Sequence, residues 1–356
     1  MDVMGPVRHE WSRLRLPRSR CACPATGVVS ARRQPVVVRD HRAMDERIEL
    51  AAAVGGGLIR AHDLRELGVH PSSVQRLQQR GLLVRVRSGV YAKHDEWQAL
   101  TPDDRYRRLV VATAGAARHP LVVSHRAAAA MHRLPMLGRA PTLVETAAQH
   151  RAGGRRTAHV AARRAGPVPT VETIDGVACT SLLRTLVDVA VSEPLVRSVP
   201  MLDAGLTRPG VTRSALQLEL ELVAPVRGRA KAAQAIGFAD ERSGSPGESV
   251  SRVRIHELGF VAPELQVRFD GIRGSFALVD FYWRGIRLIG EFDGRLKYSR
   301  SRSVSGLDPA QVVYEEKLRE DELRRRGERM ARWGWSTVWS PRDLHGLLTE
   351  FGVPRR

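Results

Sequence analysis

Gly247-Glu248-Ser249, Gln266, Phe276-Ala277-Leu278-Val279-Asp280-Phe281-Tyr282-Trp283 and Ile286-Arg287-Leu288-Ile289-Gly290-Glu291-Phe292-Asp293-Gly294, closing at Lys297, lie within one acidic and apolar stretch. Its two apolar, aromatic-containing runs flank Arg284-Gly285, which has turn chemistry, so the pattern predicts two antiparallel strands. Side chains alternate across a strand, which puts Arg287, Ile289, Glu291 and Asp293 on one face. With Arg284-Gly285 as the loop, Trp283 faces Ile286 and Asp280 faces Ile289. Glu291 then lies diagonally from Asp280, roughly 7–8 Å away at the backbone. A three-residue loop would send Glu291 to the opposite face.

Carboxylates gathered at a buried edge are costly unless a cation sits among them. Mg²⁺ (or Mn²⁺) answers that cost with oxygen ligands, usually one or two carboxylates plus substrate phosphate. Ser245-x-x-Glu248 is also a capping box with Pro246 at N1, so Glu248 reads equally as a cap or as a ligand. Gln266 reads as an accessory to the site or as a polar strand face in solvent. A helix glutamate, a strand aspartate and a strand ending Glu-x-Asp-Gly resemble the PD-(D/E)XK nuclease superfamily. Within it the stretch is similar to the very-short-patch-repair endonucleases, in an actinobacterial form. The resemblance implies a mixed sheet flanked by helices, phosphodiester hydrolysis, and Glu248, Asp280 and Glu291 as metal ligands. The superfamily's lysine stands two residues after the glutamate. Here Asp293 holds that place, and Lys297, or Lys317 from the next helix, is expected to supply the charge.

The wider chain has 356 residues, enough for several domains with their own cores. Lys plus Arg number 57 against 38 Asp plus Glu, a net charge of +19. Such an excess points to a polyanionic partner, double-stranded DNA before a membrane. Arginine-rich usage from a GC-rich genome is the bland source of the same charge. Aromatic content of 5% favours phosphate-backbone contacts over a base-stacking platform. Cys21, Cys23 and Cys179 supply neither a disulfide framework nor a zinc set, which suits a reducing, cytoplasmic compartment. No apolar run is long enough to predict a transmembrane helix. Residues 1–43 are rich in Arg and Pro without periodicity and read as a disordered basic extension, with Met44 as an alternative start.

Residues 44–93 read as three helices and a hairpin. Gly55-Gly56-Gly57 ends the first helix (from Ile48), Gly68 ends the second (Arg60 to Leu67), and Pro71 and Gly81 bound the third. Val74 and Leu77 face inward; Ser73, Gln75, Arg76, Gln79 and Arg80 remain outside. Leu83-Val84-Arg85-Val86-Arg87, a Ser88-Gly89 turn and Val90-Tyr91-Ala92 form a basic wing. With its closing Gly-Val-Tyr, this segment resembles the winged helix-turn-helix of type IV abortive-infection antitoxins. The resemblance implies a third helix in the major groove, with Arg85 and Arg87 on phosphates. A solvated helix face in a protein-interaction module is the alternative.

Residues 94–240 form an antitoxin-like middle region of helices and short strands. Helices are expected over Thr101–Ala117, His125–Leu134 and Leu182–Val191, and strands at Leu121–Val123, Pro141–Thr146 and His159–Ala161. His125 and His132 read as a structural pair, Arg184 and Asp188 as a surface ion pair, Asp203 as a cap or turn, and Cys179 as a small buried residue. Residues 241–356 form the nuclease-like domain, entered through the linker-like Arg242–Gly247. Met330–Trp333 and Thr337–Trp339 are expected strands, and Trp333, Trp335 and Trp339 core. The chain as a whole reads as mixed α/β and multidomain. Two functions follow. One is a Mg²⁺-dependent endonuclease fused to a DNA-reading module, with Glu248, Asp280, Glu291, Asp293 and Lys297 catalytic. The other is a transcriptional repressor or antitoxin-like regulator, possessing a cognate toxin partner and a nuclease-like domain that does not cut.

Overall fold

The computed structural model describes residues 41–148, 156–164, 170–223, 227–272, 275–294 and 309–356. Most of the expected disordered extension, Cys21, Cys23, the basic loop 151–155, Lys297 and the Ser/Arg-rich loop 298–308 lie outside the described residues. The chain is mixed α/β, and Met44–Arg356 forms one unit by its internal contacts.

Helix α1 (His41–Val54) starts earlier than Ile48 and turns Ile48, Ala51 and Ala52 inward. It ends where Gly57, at φ +86°, donates its N–H to the Ala52 carbonyl at 2.7 Å. A short strand β1 (Ile59–Arg60) takes the residue expected to open the second helix, so α2 runs Ala61–Glu66. Helix α3 (Pro71–Gln79) has Pro71 in its first turn, and the His70 ring accepts from Ser72 N–H at 3.2 Å. Strands β2 (Leu83–Arg87) and β3 (Val90–Lys93) complete a sheet of order β1-β3-β2. Ile48, Ile59, Leu64, Val74, Leu77 and Leu83 share one core, each full burial contributing about 1.5–3 kcal/mol.

Helices α4 (His94–Ala99) and α5 (Pro102–Gly115) lead into the middle region; α5 starts where expected, with Thr101 as its cap, and ends at Gly115 rather than Ala117. Leu121–Val123 is not a strand: Val123 makes single bridges to Thr146 and Cys179. Helix α6 (His125–Met131) is short, and Ser124 does not cap it, because its hydroxyl meets the His125 ring at 3.0 Å. Strands β4 (Val144–Ala148) and β5 (Val160–Arg164) pair in parallel. Strand β6 (Val171–Ile174), absent from the sequence reading, forms a hairpin with β7 (Val177–Thr180) over Asp175-Gly176, both at positive φ. Helices α7 (Leu182–Ser192), α8 (Leu195–Leu206), α9 (Arg213–Leu222) and α10 (Arg229–Phe238) bury Leu186, Met201, Leu202, Leu216 and Ile236 together.

Two expectations for this region are corrected. Arg184 and Asp188 are buried rather than on the surface, with Nε to Oδ1 at 2.9 Å and His125 3.7 Å from the other carboxylate oxygen. Asp203 lies inside α8, not at a cap. It accepts from Asp240 N–H at 2.8 Å and pairs with the Arg252 guanidinium at 2.8 Å. Burial pushes the Asp203 carboxyl up against the pull of Arg252. Arg252 also holds the Ser243 hydroxyl at 2.7 Å, so the linker-like Arg242–Gly247 is pinned near its start. His125 and His132 each have a structural partner, the Ser124 hydroxyl at 3.0 Å and the Thr180 carbonyl at 2.8 Å. Cys179 is buried as expected, its thiol pushed up to about 12 by burial.

The last region is a four-stranded mixed sheet. After α11 (Pro246–Glu257) come β8 (Glu264–Ile272), β9 (Ser275–Trp283), a 3-10 turn at Arg284–Ile286 and β10 (Leu288–Phe292). Helix α12 (Pro309–Arg325) precedes β11 (Arg329–Trp333), which lies parallel to β10 and gives the order β11-β10-β9-β8. Thr337–Trp339 is not a strand but part of the short α13 (Trp335–Trp339), followed by α14 (Pro341–Glu350). One turn of helix lets Trp335 and Trp339 stack at 6.1 Å, and Trp339 is left exposed. One face packs Phe281, Trp283, Phe292 and Trp333 against Val250 and Ile255 of α11 and Leu344 of α14. The other packs Val279, Tyr282, Ile289 and Met330 against Leu323 of α12.

Candidate nucleic-acid interface and carboxylate centre

In the amino-terminal module, Pro71 and Gly81 set the length of α3, and Val74 and Leu77 set its rotation. Gln75, Arg76, Gln79 and Arg80 are exposed, a stripe of Gln and Arg at helical spacing. Ser73 is corrected: it is buried, and its hydroxyl accepts from the Arg76 guanidinium at 2.9 Å. It therefore aims a neighbour rather than facing solvent itself. On the wing Arg85 is exposed. Arg87 is folded back, donating to the Thr113 carbonyl of α5 at 3.1 Å, and burial pulls its guanidinium below the ordinary value.

In the carboxyl-terminal sheet the hairpin register differs from the expected one. Trp283 faces Leu288, Tyr282 faces Ile289 and Phe281 faces Gly290. The connection is four residues long, with Arg287 at φ +51°, rather than Arg284-Gly285 alone. Continuing the register puts Glu291 directly opposite Asp280. The expected diagonal of Asp280 and Glu291 is thereby replaced by a direct cross-strand position.

Gln266 stands in β8 opposite this point, at φ +50°, a conformation rare outside glycine and asparagine. Strand alternation breaks there, since Val279 packs toward α12 while Phe281 packs toward α11. The Gln266 amide donates to Glu248 Oε2 at 2.9 Å and reaches Asp280 Oδ1 at 3.5 Å. Asp280 Oδ2 accepts from Phe292 N–H at 2.9 Å. Glu248 is buried, and Oε2 also accepts from Gly244 N–H at 2.8 Å, while Ser245 Oγ accepts from Glu248 N–H at 3.3 Å. The capping box is thus formed, reaching one residue beyond the cap. Gly247 permits this seat, because a Cβ there would stand 1.9 Å from the Phe292 ring.

Glu291 belongs to the α12 side of the sheet and is 8% exposed. Arg332, its partner in the parallel β10–β11 pair, holds Oε2 with two donors at 2.9 and 3.2 Å. Arg319 of α12 approaches Oε1 at 3.5 Å. Burial raises the Glu291 carboxyl above its ordinary range, against the pull of Arg319 and Arg332, and Asp280 adds to the rise. Lys317 is exposed, and Asp293 is exposed with its N–H on the Trp333 carbonyl at 2.8 Å.

The cations beside Glu291 are arginines that the sequence reading does not name. Their signal was present: Arg319 lies one helical turn before the buried Leu323, and Arg332 two strand positions after the buried Met330. Oxygens of Glu248, Asp280 and Glu291 do not all come within 4.8 Å of one another. Among the described residues that property belongs to His62, Asp63 and Glu66, on the six-residue α2. With Glu291 held by guanidinium groups and an amide N–H between the other two carboxylates, this arrangement does not fit Mg²⁺ or Mn²⁺. Those ions need oxygen lone pairs turned to one point.

Comparison with known proteins bears on the first of these sites. Residues 46–92 match a family model described as a transcriptional regulator, AbiEi antitoxin. The chain is also 31% identical over 123 residues to uncharacterized proteins of Mycobacterium tuberculosis, Rv2248 of strain H37Rv and MT2308 of strain CDC 1551 / Oshkosh. That match covers 35% of this chain and 45% of each relative, so it spans less than half of their length. A crystal structure of the Mycobacterium tuberculosis protein RV2827C aligns with 59% of this chain and 80% of its own, at 17% identity and a TM-score of 0.34. Among the described residues no helix is long and apolar enough to cross a membrane.

Proposed function

We propose that this protein is a DNA-binding regulator of the antitoxin type. Its amino-terminal winged helix reads duplex DNA, and a cognate toxin is its protein partner in the cytoplasm. One observation carries the reading: the segment matching the antitoxin-regulator model presents an exposed Gln75, Arg76, Gln79, Arg80 stripe on α3. Glutamine suits the edge of adenine, and arginine the edge of guanine or a phosphate. Arg85 on the wing supplies a backbone contact, and the +19 net charge raises encounter with DNA. Ser73 positions Arg76, and Arg87 ties the wing to α5 instead of meeting phosphate. The test is selection of a preferred duplex from a random pool, followed by polarisation titrations across salt. Loss of sequence preference in Arg76→Ala/Arg80→Ala supports the reading; unchanged preference refutes it.

A second reading, a Mg²⁺-dependent endodeoxyribonuclease, is favoured by one observation. Glu248 and Asp280 meet through Gln266, with Glu291 opposite Asp280. It requires Glu291 to leave its guanidinium partners. Its test is nicking of supercoiled plasmid with Mg²⁺ by wild type, Asp280→Ala and Glu291→Ala. Nicking by wild type alone supports it, and equal behaviour of all three removes the assignment.

A further inference from the structure

Beyond DNA reading, the geometry of the carboxyl-terminal sheet points to a specific use of Arg332 and Arg319. We propose that these two guanidinium groups stand in the place of a metal ion, closing the carboxylate centre to divalent cations and making it the joint that fixes α12 and β11 to β10.

Three observations carry this. First, Glu291 and Arg332 are register partners on adjacent parallel strands, and the contact is two-donor at 2.9 and 3.2 Å. A planar guanidinium in that geometry gives charge and two hydrogen bonds at once, which a hydrated Mg²⁺ must displace before it can bind. Second, Arg319 brings a cation from α12 to the other oxygen, and Arg332 also reaches Glu320 of α12 at 3.1 Å. Strand, strand and helix are therefore linked through a chain of alternating charge. Third, the carboxylates are held apart. Glu248 lies with α11, Glu291 lies with α12, and the Gln266 amide nitrogen separates Glu248 from Asp280. In this orientation Gln266 turns its NH2 to both carboxylates, and its carbonyl oxygen would reach an ion there only after the amide turns over.

The test uses the full chain and Mn²⁺ or Mg²⁺ as the probe. Wild type melts at the same temperature with and without millimolar Mn²⁺, whereas Arg319→Gln/Arg332→Gln melts higher when Mn²⁺ is added. A rise in the wild-type melting temperature that disappears in Glu291→Gln overturns the proposal. So does a folded double-arginine variant that ignores Mn²⁺, since the arginines would then not be what excludes the ion. If that variant fails to fold, the double-mutant cycle of Glu291→Gln with Arg332→Gln decides. The paired variant melting higher than the sum of the single changes supports the joint, and additive shifts overturn it. None of these readouts depends on DNA cleavage or on DNA binding, so they stand or fall separately from the DNA-reading proposal, whereas a centre closed to divalent cations and a Mg²⁺-dependent nuclease at that centre exclude each other.

Discussion

The α3 face and the carboxylate centre are both built from long charged and polar side chains, yet they use them in opposite directions. On α3, the apolar Val74 and Leu77 turn inward, so Gln75, Arg76, Gln79 and Arg80 face water. In the sheet, Glu248, Gln266, Asp280, Glu291, Arg319 and Arg332 spend much of their bonding capacity on one another. An outward face is available to a large polyanion. An inward network defines packing. The distinction is invisible in composition and follows only from which side of an element its apolar residues occupy.

The largest effect is expected where inward charge is deepest. Asp203→Ala leaves the Arg252 guanidinium buried without its carboxylate and costs about 3–5 kcal/mol, read by urea unfolding. A cost near zero would erase the contrast drawn above. Next, Arg76→Ala and Arg80→Ala each weaken duplex binding by about 1–3 kcal/mol if they read bases, with melting temperature unchanged. Should either act on phosphate instead, binding falls evenly across sequences and the salt slope drops by about 1. A smaller effect concerns acidity. Burial holds the folded-state Glu291 pKa above its unfolded value, so the folded chain keeps this proton more tightly. The group's stabilising contribution is therefore present below the unfolded pKa and is lost as pH rises through the folded pKa. Glu291→Gln flattens that part of a melting-temperature profile across the acidic range; an unchanged profile would show that the carboxyl does not titrate there. Smallest is Lys317→Ala on the exposed face of α12, expected within about 0.5 kcal/mol of wild type.

Local signals made the amino-terminal module legible. Pro71, Gly68, Gly81 and Ser88-Gly89 each specify a backbone conformation within a few residues, and the helices and wing lie nearly where those residues put them. Strands β9 and β10 were legible for the same reason, but their connection was not. Arg284-Gly285 carries turn chemistry, while the left-handed residue is Arg287 and the register follows from Trp283 and Leu288 packing in one core. Thr337-Val338-Trp339 has strand propensity that the stacking of Trp335 on Trp339 overrides. Arg184 with Asp188, and Asp203 with Arg252, have spacings that suit a surface pair or a cap. Only tertiary packing shows that they are enclosed. Of the carboxylate centre, its acidic members were legible and its basic ones were not, because Arg332 meets Glu291 across a helix and a strand.

That separation has a consequence during synthesis. Strand β10 leaves the ribosome with Glu291 uncompensated, and Arg332 arrives only after α12 has been made. Until β11 docks, the exposed edge of β10 is a ready template for another chain. A pause in translation between the two strands should therefore increase aggregation, and a pause placed after β11 should not.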